Sequence, residues 1–167
     1  MSRMIHSQSR LGASQAAACV GSLFALELLR PAKTMYLNTA MPGNAPILWN
    51  DLGQFTALFP DLEISRLTLA TALSLLAERG TTVHFIYTVE HGVQDGFLAL
   101  LSPRVLCRRA SFVRHHGLFT EHFCLYGSLS FADFGVDIMS DRIQLITDPD
   151  EVNRALFAAR QYWEDLG

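Results

Sequence analysis

Residues 67–89 read LTLATALSLLAERGTTVHFIYTV and join a predicted helix to a predicted buried strand. The apolar residues of Leu67–Arg79 recur at helical spacing, and Gly80 stands where a helix-terminating glycine is expected. Thr81–Val89 is almost entirely apolar or β-branched, which is typical of a strand that is buried on both faces. The stretch therefore predicts a helix–strand unit of an α/β protein.

Similar signals extend this unit in both directions along the chain. Upstream, the sequence predicts a helix at Ser14–Arg30 that Pro31 stops, a strand at Lys33–Thr39 and a loop over Met41–Gly53. We expect Ile47, Leu48 and Trp49 to anchor this loop on the core. Downstream, it predicts a helical turn at Phe97–Leu101, an extended segment at Arg104–Val113, a hairpin at Leu118–Tyr126, a strand at Ile143–Thr147 and a final helix from Pro149 to Leu166 with Asp148 as its N-cap. This order predicts an α/β fold with a mixed β-sheet flanked by helices on both faces.

Composition limits the classes of protein that fit. The 167 residues are 50% hydrophobic and 17% charged, which excludes an intrinsically disordered chain. This length suits a single domain, and we expect a flexible N-terminal arm over residues 1–12 and one domain over residues 13–167. The net charge of −3 gives no global attraction to nucleic acid, so any such binding needs a local basic patch.

Three cysteines, Cys19, Cys107 and Cys124, show no paired metal-binding spacing and indicate reduced thiols. The longest apolar stretch is interrupted by polar residues, so we expect no membrane span. The sequence contains no phosphate-binding loop, dinucleotide fingerprint or zinc motif, and we expect no metal or cofactor. These features predict a cytoplasmic protein.

The stretch from Arg114 to Ser130, RHHGLFTEHFCLYGSLS, carries the groups best suited to chemistry. Gly127 and Ser128 form a turn after a strand, and such a turn can present backbone N–H groups and a hydroxyl to a phosphate oxygen. His115 or His116 could act there as a nucleophile or as an acid–base group. The alternative is a solvated hairpin edge with no chemical role, because a Gly-Ser turn by itself is common.

These residues, in this order of elements, resemble the phospholipase D superfamily in its form with one motif per chain. That family carries H-x-K, a hairpin and then G-S-x-N. Within it, the resemblance is to the phospholipase D-like subunits of bacterial DNA 7-deazapurine-modification and related defence clusters. The segments that carry this resemblance are FALELLRP at 24–31, ILWNDLGQF at 47–55, LLAERGT at 75–81, HGLFT at 116–120, YGS at 126–128 and TDP at 147–149.

The chain departs from the family pattern at its reactive positions. Arg114 stands at the histidine of H-x-K, His116 at its lysine and Ser130 at the asparagine of G-S-x-N, while Lys33 is the only lysine of the chain. A shift of one residue in the alignment would instead make His115 or His116 the nucleophile. Each lost charge partner of the transition state typically costs about 10²–10³ in rate.

The resemblance thus implies a weak or inactive catalyst, a homodimer that builds its site across a two-fold axis, and a role in binding DNA or docking a helicase, an ATPase or another defence subunit. The alternative is an active, metal-independent phosphodiesterase with His115 or His116 as the nucleophile, Arg114 as the phosphate clamp, and Ser128 and Ser130 as hydrogen-bond donors. A third possibility is a structural partner without any contact to nucleic acid.

A basic run precedes the candidate site. Arg104, Arg108, Arg109 and Arg114, followed by the two histidines, occur without an acidic residue between them. Side chains that share a face would form a local phosphate-binding patch, together with Gly127 and Ser130 of the turn. The alternative is a sheet edge whose charges only keep it from pairing with another chain.

Overall fold

The computed structural model describes residues 2–6, 10–88, 95–132, 135–138 and 142–167. Its helices are α1 (Arg10–Leu29), α2 (Leu69–Glu78), α3 (Asp95–Leu98) and α4 (Pro149–Asp165), and a 3-10 turn spans Thr56–Leu58. Its strands are β1 (Ser2–His6), β2 (Thr34–Thr39), β3 (Pro46–Trp49), β4 (Arg66–Thr68), β5 (Thr82–Tyr87), β6 (Leu106–Arg109), β7 (Gly117–Thr120), β8 (Cys124–Tyr126), β9 (Leu129–Ala132), β10 (Gly135–Ile138) and β11 (Arg142–Ile146).

Seven strands form one mixed sheet in the order β1-β11-β8-β7-β2-β5-β6. Strands β2, β5 and β6 run parallel, whereas β7, β8, β11 and β1 join the sheet by antiparallel pairing. Two short two-stranded ribbons, β3–β4 and β9–β10, stand beside it. The predicted α/β fold with a mixed sheet is confirmed.

Alternating side chains of β2 explain why the sheet has a helical layer on each face. Met35 and Leu37 belong to the main core, which also contains buried residues of α1 and α2 such as Phe24 and Leu73. Tyr36 points the other way and joins a second core with buried residues of α4. Because successive strand residues face opposite sides, a central strand with apolar residues on both faces requires this two-sided cover.

Antiparallel pairing of β7 with β2 places the candidate site at one edge of the sheet. Gly117 begins β7 and lies opposite Asn38, near the carboxyl end of β2. Residues 114–116 therefore enter the sheet where β2 and β5 end. Open α/β sheets bind their ligands at this edge, outside the carboxyl ends of parallel strands.

The structure differs from the sequence-based expectation at three places. Ser2–His6, inside the stretch expected to be an arm, forms β1 and pairs with β11. The predicted loop at 41–53 contains β3, which pairs with β4 through an irregular register. Trp49 was expected to anchor that loop on the core, but its side chain is 52% exposed while Ile47 and Leu48 are buried.

Within the described part of the chain, no helix combines the length and the apolar character that a bilayer span requires.

Candidate functional site

A hydrogen bond joins the two halves of the predicted phosphate cradle. The Gly127 N–H donates to the His116 carbonyl at 3.0 Å, across the hairpin of β7 and β8. Gly117 has a φ of 151°, and a Cβ there would lie 2.1 Å from the Leu125 carbonyl oxygen. Only glycine fits this close approach of two strands, so the Gly117 position fixes the geometry of the cradle.

His116 is half-buried, and its Nδ1 is enclosed without a hydrogen-bond partner among the described residues. Burial lowers the pKa of His116 below its ordinary value, and the backbone of Val113 opposes this shift. This shift favours the neutral form of the imidazole. A neutral ring cannot replace the positive charge that the resemblance implies at this position.

His115 lies in different surroundings from its neighbour. Its side chain is exposed, and its ring meets the Tyr162 ring edge-on at a centroid distance of 6.2 Å. Its backbone has a φ of 51°, which is unusual for a residue other than glycine. The Asn38 amide stabilises this turn by donating from Nδ2 to the His115 carbonyl at 3.1 Å. The two histidine rings thus have different surroundings.

The buried Tyr162 of α4 holds the segment that leads into the cradle. Its hydroxyl accepts a hydrogen bond from the Arg114 N–H at 3.1 Å and donates one to the Phe112 carbonyl at 3.0 Å. The Arg114 guanidinium stands over the exposed Phe112 ring, 5.0 Å from its centroid. The hydroxyl therefore fixes the backbone from which Arg114 projects.

Strand β6 places the side chains of two predicted basic residues on opposite faces of the sheet. The Arg108 guanidinium lies 4.2 Å from the centroid of the Trp163 ring and donates to the Trp163 carbonyl. Arg109, the next residue, is exposed and points to the opposite face of the strand. Arg104 is exposed before β6 begins. The basic run therefore does not share a single face.

Three contacts nevertheless join a basic side chain to an aromatic ring: Arg108 to Trp163, Arg114 to Phe112 and His115 to the buried Tyr162. We call these six residues the aromatic–basic ridge. Among the described residues, no carboxylate lies within ion-pair distance of Arg104, Arg109 or Arg114.

The Gly-Ser turn is tied to the end of β2. Ser128 is half-buried and follows Gly127 directly, and Ser130 is half-buried in β9, where it forms a bridge to Met41. The Thr39 hydroxyl donates to the Leu129 carbonyl at 2.9 Å and accepts from the Met41 N–H at 3.1 Å. The turn, the end of β2 and the start of β7 therefore form one unit.

The sequence analysis did not identify the residues that stabilise this unit from distant positions in the chain. Asn38, Thr39 and Tyr162 lie about 50 to 90 residues from their partners, so sequence spacing did not reveal them. The polar pair Asn38-Thr39 at the end of an apolar strand was the one available signal. No group of three or more His, Cys, Asp or Glu side chains that could hold a metal occurs in the part of the chain that the structure describes.

Comparisons with known proteins support the fold. No protein-family model and no curated protein matches the sequence. Nuc from Salmonella typhimurium, a phospholipase D family member, matches with a TM-score of 0.56 and 13% identity, over 99% of this chain and 93% of its own. NucT from Helicobacter pylori matches with a TM-score of 0.55 and 10% identity, over 99% and 94% of the two chains.

The archaeal chromatin protein TrmBL2, whose structure shows a novel mode of DNA binding, matches with a TM-score of 0.51 and 12% identity. The match covers this whole chain but only 54% of TrmBL2, so the chain spans about half the length of that relative. At these identities the likeness concerns the fold. The chain has the phospholipase D-like fold.

Proposed function

We propose that this chain binds nucleic acid through its arginine side chains and that its phosphoryl-transfer cradle is catalytically weak or inactive. The observation that carries the proposal is Arg114. It is exposed, it lies within two residues of the cradle at His116, and the Tyr162 hydroxyl holds its backbone. An exposed guanidinium that projects from a fixed backbone suits a phosphodiester oxygen.

The state of His116 supports the loss of catalysis. A histidine nucleophile is usually oriented by a side chain that binds its second ring nitrogen, and no side chain among the described residues binds Nδ1 of His116. A neutral ring also supplies no charge to the phosphoryl oxygens. Arg114 and Ser130 replace two further groups of the pattern that the resemblance implies, and each such loss costs about 10²–10³ in rate.

The neighbours support the binding role by analogy. TrmBL2 is described as a chromatin protein that binds DNA, and Nuc as a phospholipase D family member. The biological setting belongs to the same proposal: a cytoplasmic homodimeric subunit of a bacterial DNA-modification or defence complex, docked to a helicase, an ATPase or another subunit.

Fluorescence anisotropy of labelled single- and double-stranded DNA tests the binding role. We expect Arg109→Ala and Arg114→Ala each to weaken binding and to reduce the slope of log K against log salt by about 0.7–0.9 per lost phosphate contact. Arg66→Ala is the matched control, because Arg66 is exposed on β4, outside the large sheet. Binding that is insensitive to salt and to both variants would contradict the proposal.

A second candidate is an active, metal-independent phosphodiesterase. The neutral ring of His116 favours it, because a nucleophile needs a free lone pair. Cleavage of DNA in the presence of EDTA that His116→Ala abolishes and His115→Ala preserves would establish this candidate. The absence of turnover at high protein concentration would exclude it and leave the binding role.

A further inference from the structure

A cleft lies on the α4 side of the sheet, away from the phosphate cradle. It is an open cleft of about 810 Å³ between α4 and the amino-terminal halves of β2 and β5. This volume falls in the range of small-molecule sites and far exceeds a packing void. The residues that matter for its chemistry are Thr34, Tyr36, Thr82, His84, Phe157 and Trp163.

The floor of the cleft is a small grid of hydrogen-bonding side chains. Thr34 lies opposite Thr82 and Tyr36 opposite His84, in the parallel register of β2 and β5. The hydroxyls of Thr34, Tyr36 and Thr82 make no hydrogen bond to the described part of the chain. Each can both donate and accept, so the floor is suited to a ligand whose edge carries both functions.

Charged groups at the cleft are already engaged within the chain. Arg160 Nε lies 3.1 Å from Glu164 Oε1, and Arg108 is held over Trp163. Glu121 Oε2 accepts a hydrogen bond from the Lys33 N–H at 2.7 Å. The side chains of two arginines and two glutamates line the cleft, so these side-chain charges balance. A neutral ligand fits this lining better than an anion does.

Aromatic rings bound the cleft on several sides. Tyr36 and His84 stack with centroids 4.4 Å apart and planes 10° apart, and Trp163 meets His84 edge-on at 4.6 Å. The Phe157 ring is 66% exposed and belongs to the lining. Flat rings beside hydrogen-bonding groups are suited to a flat heteroaromatic ligand.

We infer that this cleft binds a nucleoside unit, with the base against the aromatic rings and its polar edge on the hydroxyl floor. Arg108 and Trp163 belong both to the cleft and to the aromatic–basic ridge. A single strand that follows the ridge can therefore place one unpaired base in the cleft. This placement of a base from a bound single strand, the single-strand step, rests on the proposed nucleic-acid binding. The nucleoside site itself does not depend on that proposal.

The test uses the fluorescence of Trp163 in a Trp49→Phe background, because the chain has two tryptophans and Trp49 lies outside the cleft. We expect adenosine or uridine to change this fluorescence, and ribose and inorganic phosphate to leave it unchanged. Thr34→Val with Thr82→Val removes two hydroxyls at nearly constant shape and should weaken nucleoside binding about tenfold or more. Ser111→Ala, exposed and outside the cleft, is the control.

The outcomes separate this inference from the proposed function. If oligonucleotides bind but no free nucleoside does, the inference is overturned and the proposed function stands. A response to ribose or phosphate equal to that of the nucleosides also overturns it. If nucleosides bind but oligonucleotides do not, the nucleoside site is confirmed, while the single-strand step and the proposed function fail.

Discussion

Glu27 of α1 and His122 of the turn between β7 and β8 are joined by a contact of 2.9 Å between Oε1 and Nδ1. The Glu27 side chain is fully buried, and its carboxylate also accepts from the Thr120 hydroxyl at 2.9 Å and from the Ala32 N–H at 3.0 Å. One buried carboxylate thus ties the end of α1 to the hairpin that carries the cradle at its other end.

Replacing Glu27 should be strongly destabilising. Glu27→Ala leaves a buried hydroxyl, a backbone N–H and the His122 ring without their partner, and breaking a buried pair in this way costs about 3–5 kcal/mol. Urea denaturation measures the free energy of unfolding. Glu63→Ala, at an exposed carboxylate, should change it by less than about 0.5 kcal/mol. Equal stabilities of the two variants would contradict the structural role of Glu27.

Stability should fall as the solution becomes mildly acidic. Burial lowers the pKa of both His84 and His116 in the folded chain. Below the ordinary histidine pKa of about 6.5, the unfolded chain therefore binds protons that the folded chain does not, and the free energy of unfolding decreases. Urea midpoints measured at about pH 7.5 and about pH 5.5 test this.

A double variant, His84→Gln with His116→Gln, isolates the contribution of these two rings to the pH dependence. It should be less stable than the parent at neutral pH but should lose less stability between the two pH values. A parent whose midpoint is the same at both pH values, or a variant with an undiminished pH dependence, would show that the two imidazoles do not control it.

Removal of the Tyr162 hydroxyl should lower both the stability of the protein and its affinity for DNA. Tyr162→Phe removes one acceptor and one donor from the segment that carries Arg114, at a cost of about 1–3 kcal/mol in unfolding free energy. DNA affinity should fall as well, because Arg114 loses its fixed position. Tyr87→Phe is the control, since no hydrogen bond holds that hydroxyl within the described residues. Equal effects of the two variants would argue against the role of the Tyr162 hydroxyl in fixing the backbone at Arg114.

Gly117 should tolerate no side chain. Gly117→Ala places a Cβ 2.1 Å from the Leu125 carbonyl oxygen at a positive φ, so β7 and β8 must separate, at a cost of more than about 2 kcal/mol. Thermal unfolding measures the loss. Gly96→Ala, whose Cβ meets nothing within 4 Å, should be neutral or slightly stabilising. A normal melting temperature for Gly117→Ala would refute the close packing.

Local signals in the sequence predicted the elements whose stability is local. The last helix begins at Pro149 as expected, and the Asp148 side chain accepts from the N–H groups of Asp150 and Glu151. The strand within Thr81–Val89 was recognised from its apolar run. In contrast, β1 depends on pairing with β11, more than 130 residues away, and no pattern in five residues reveals such a partner.

The candidate site was predicted only in part for the same reason. The hairpin pattern brought His116 and Gly127 together, as the hydrogen bond between their backbones confirms. The surroundings of His115 depend on a left-handed backbone and on Tyr162, and neither is encoded next to it in sequence. Neighbouring residues of a strand face opposite sides of the sheet. Arg108 and Arg109 are neighbours in β6, so their side chains lie on opposite faces.

Strand β6 ends the seven-stranded sheet in the described part of the chain, and it carries Arg108 and Arg109. An unpaired margin of this kind invites aggregation, and clustered like charges oppose it because two such margins repel each other. Neutralising these guanidinium groups should therefore increase precipitation as well as weaken ligand affinity. Two copies of this molecule should therefore not join edge to edge through β6.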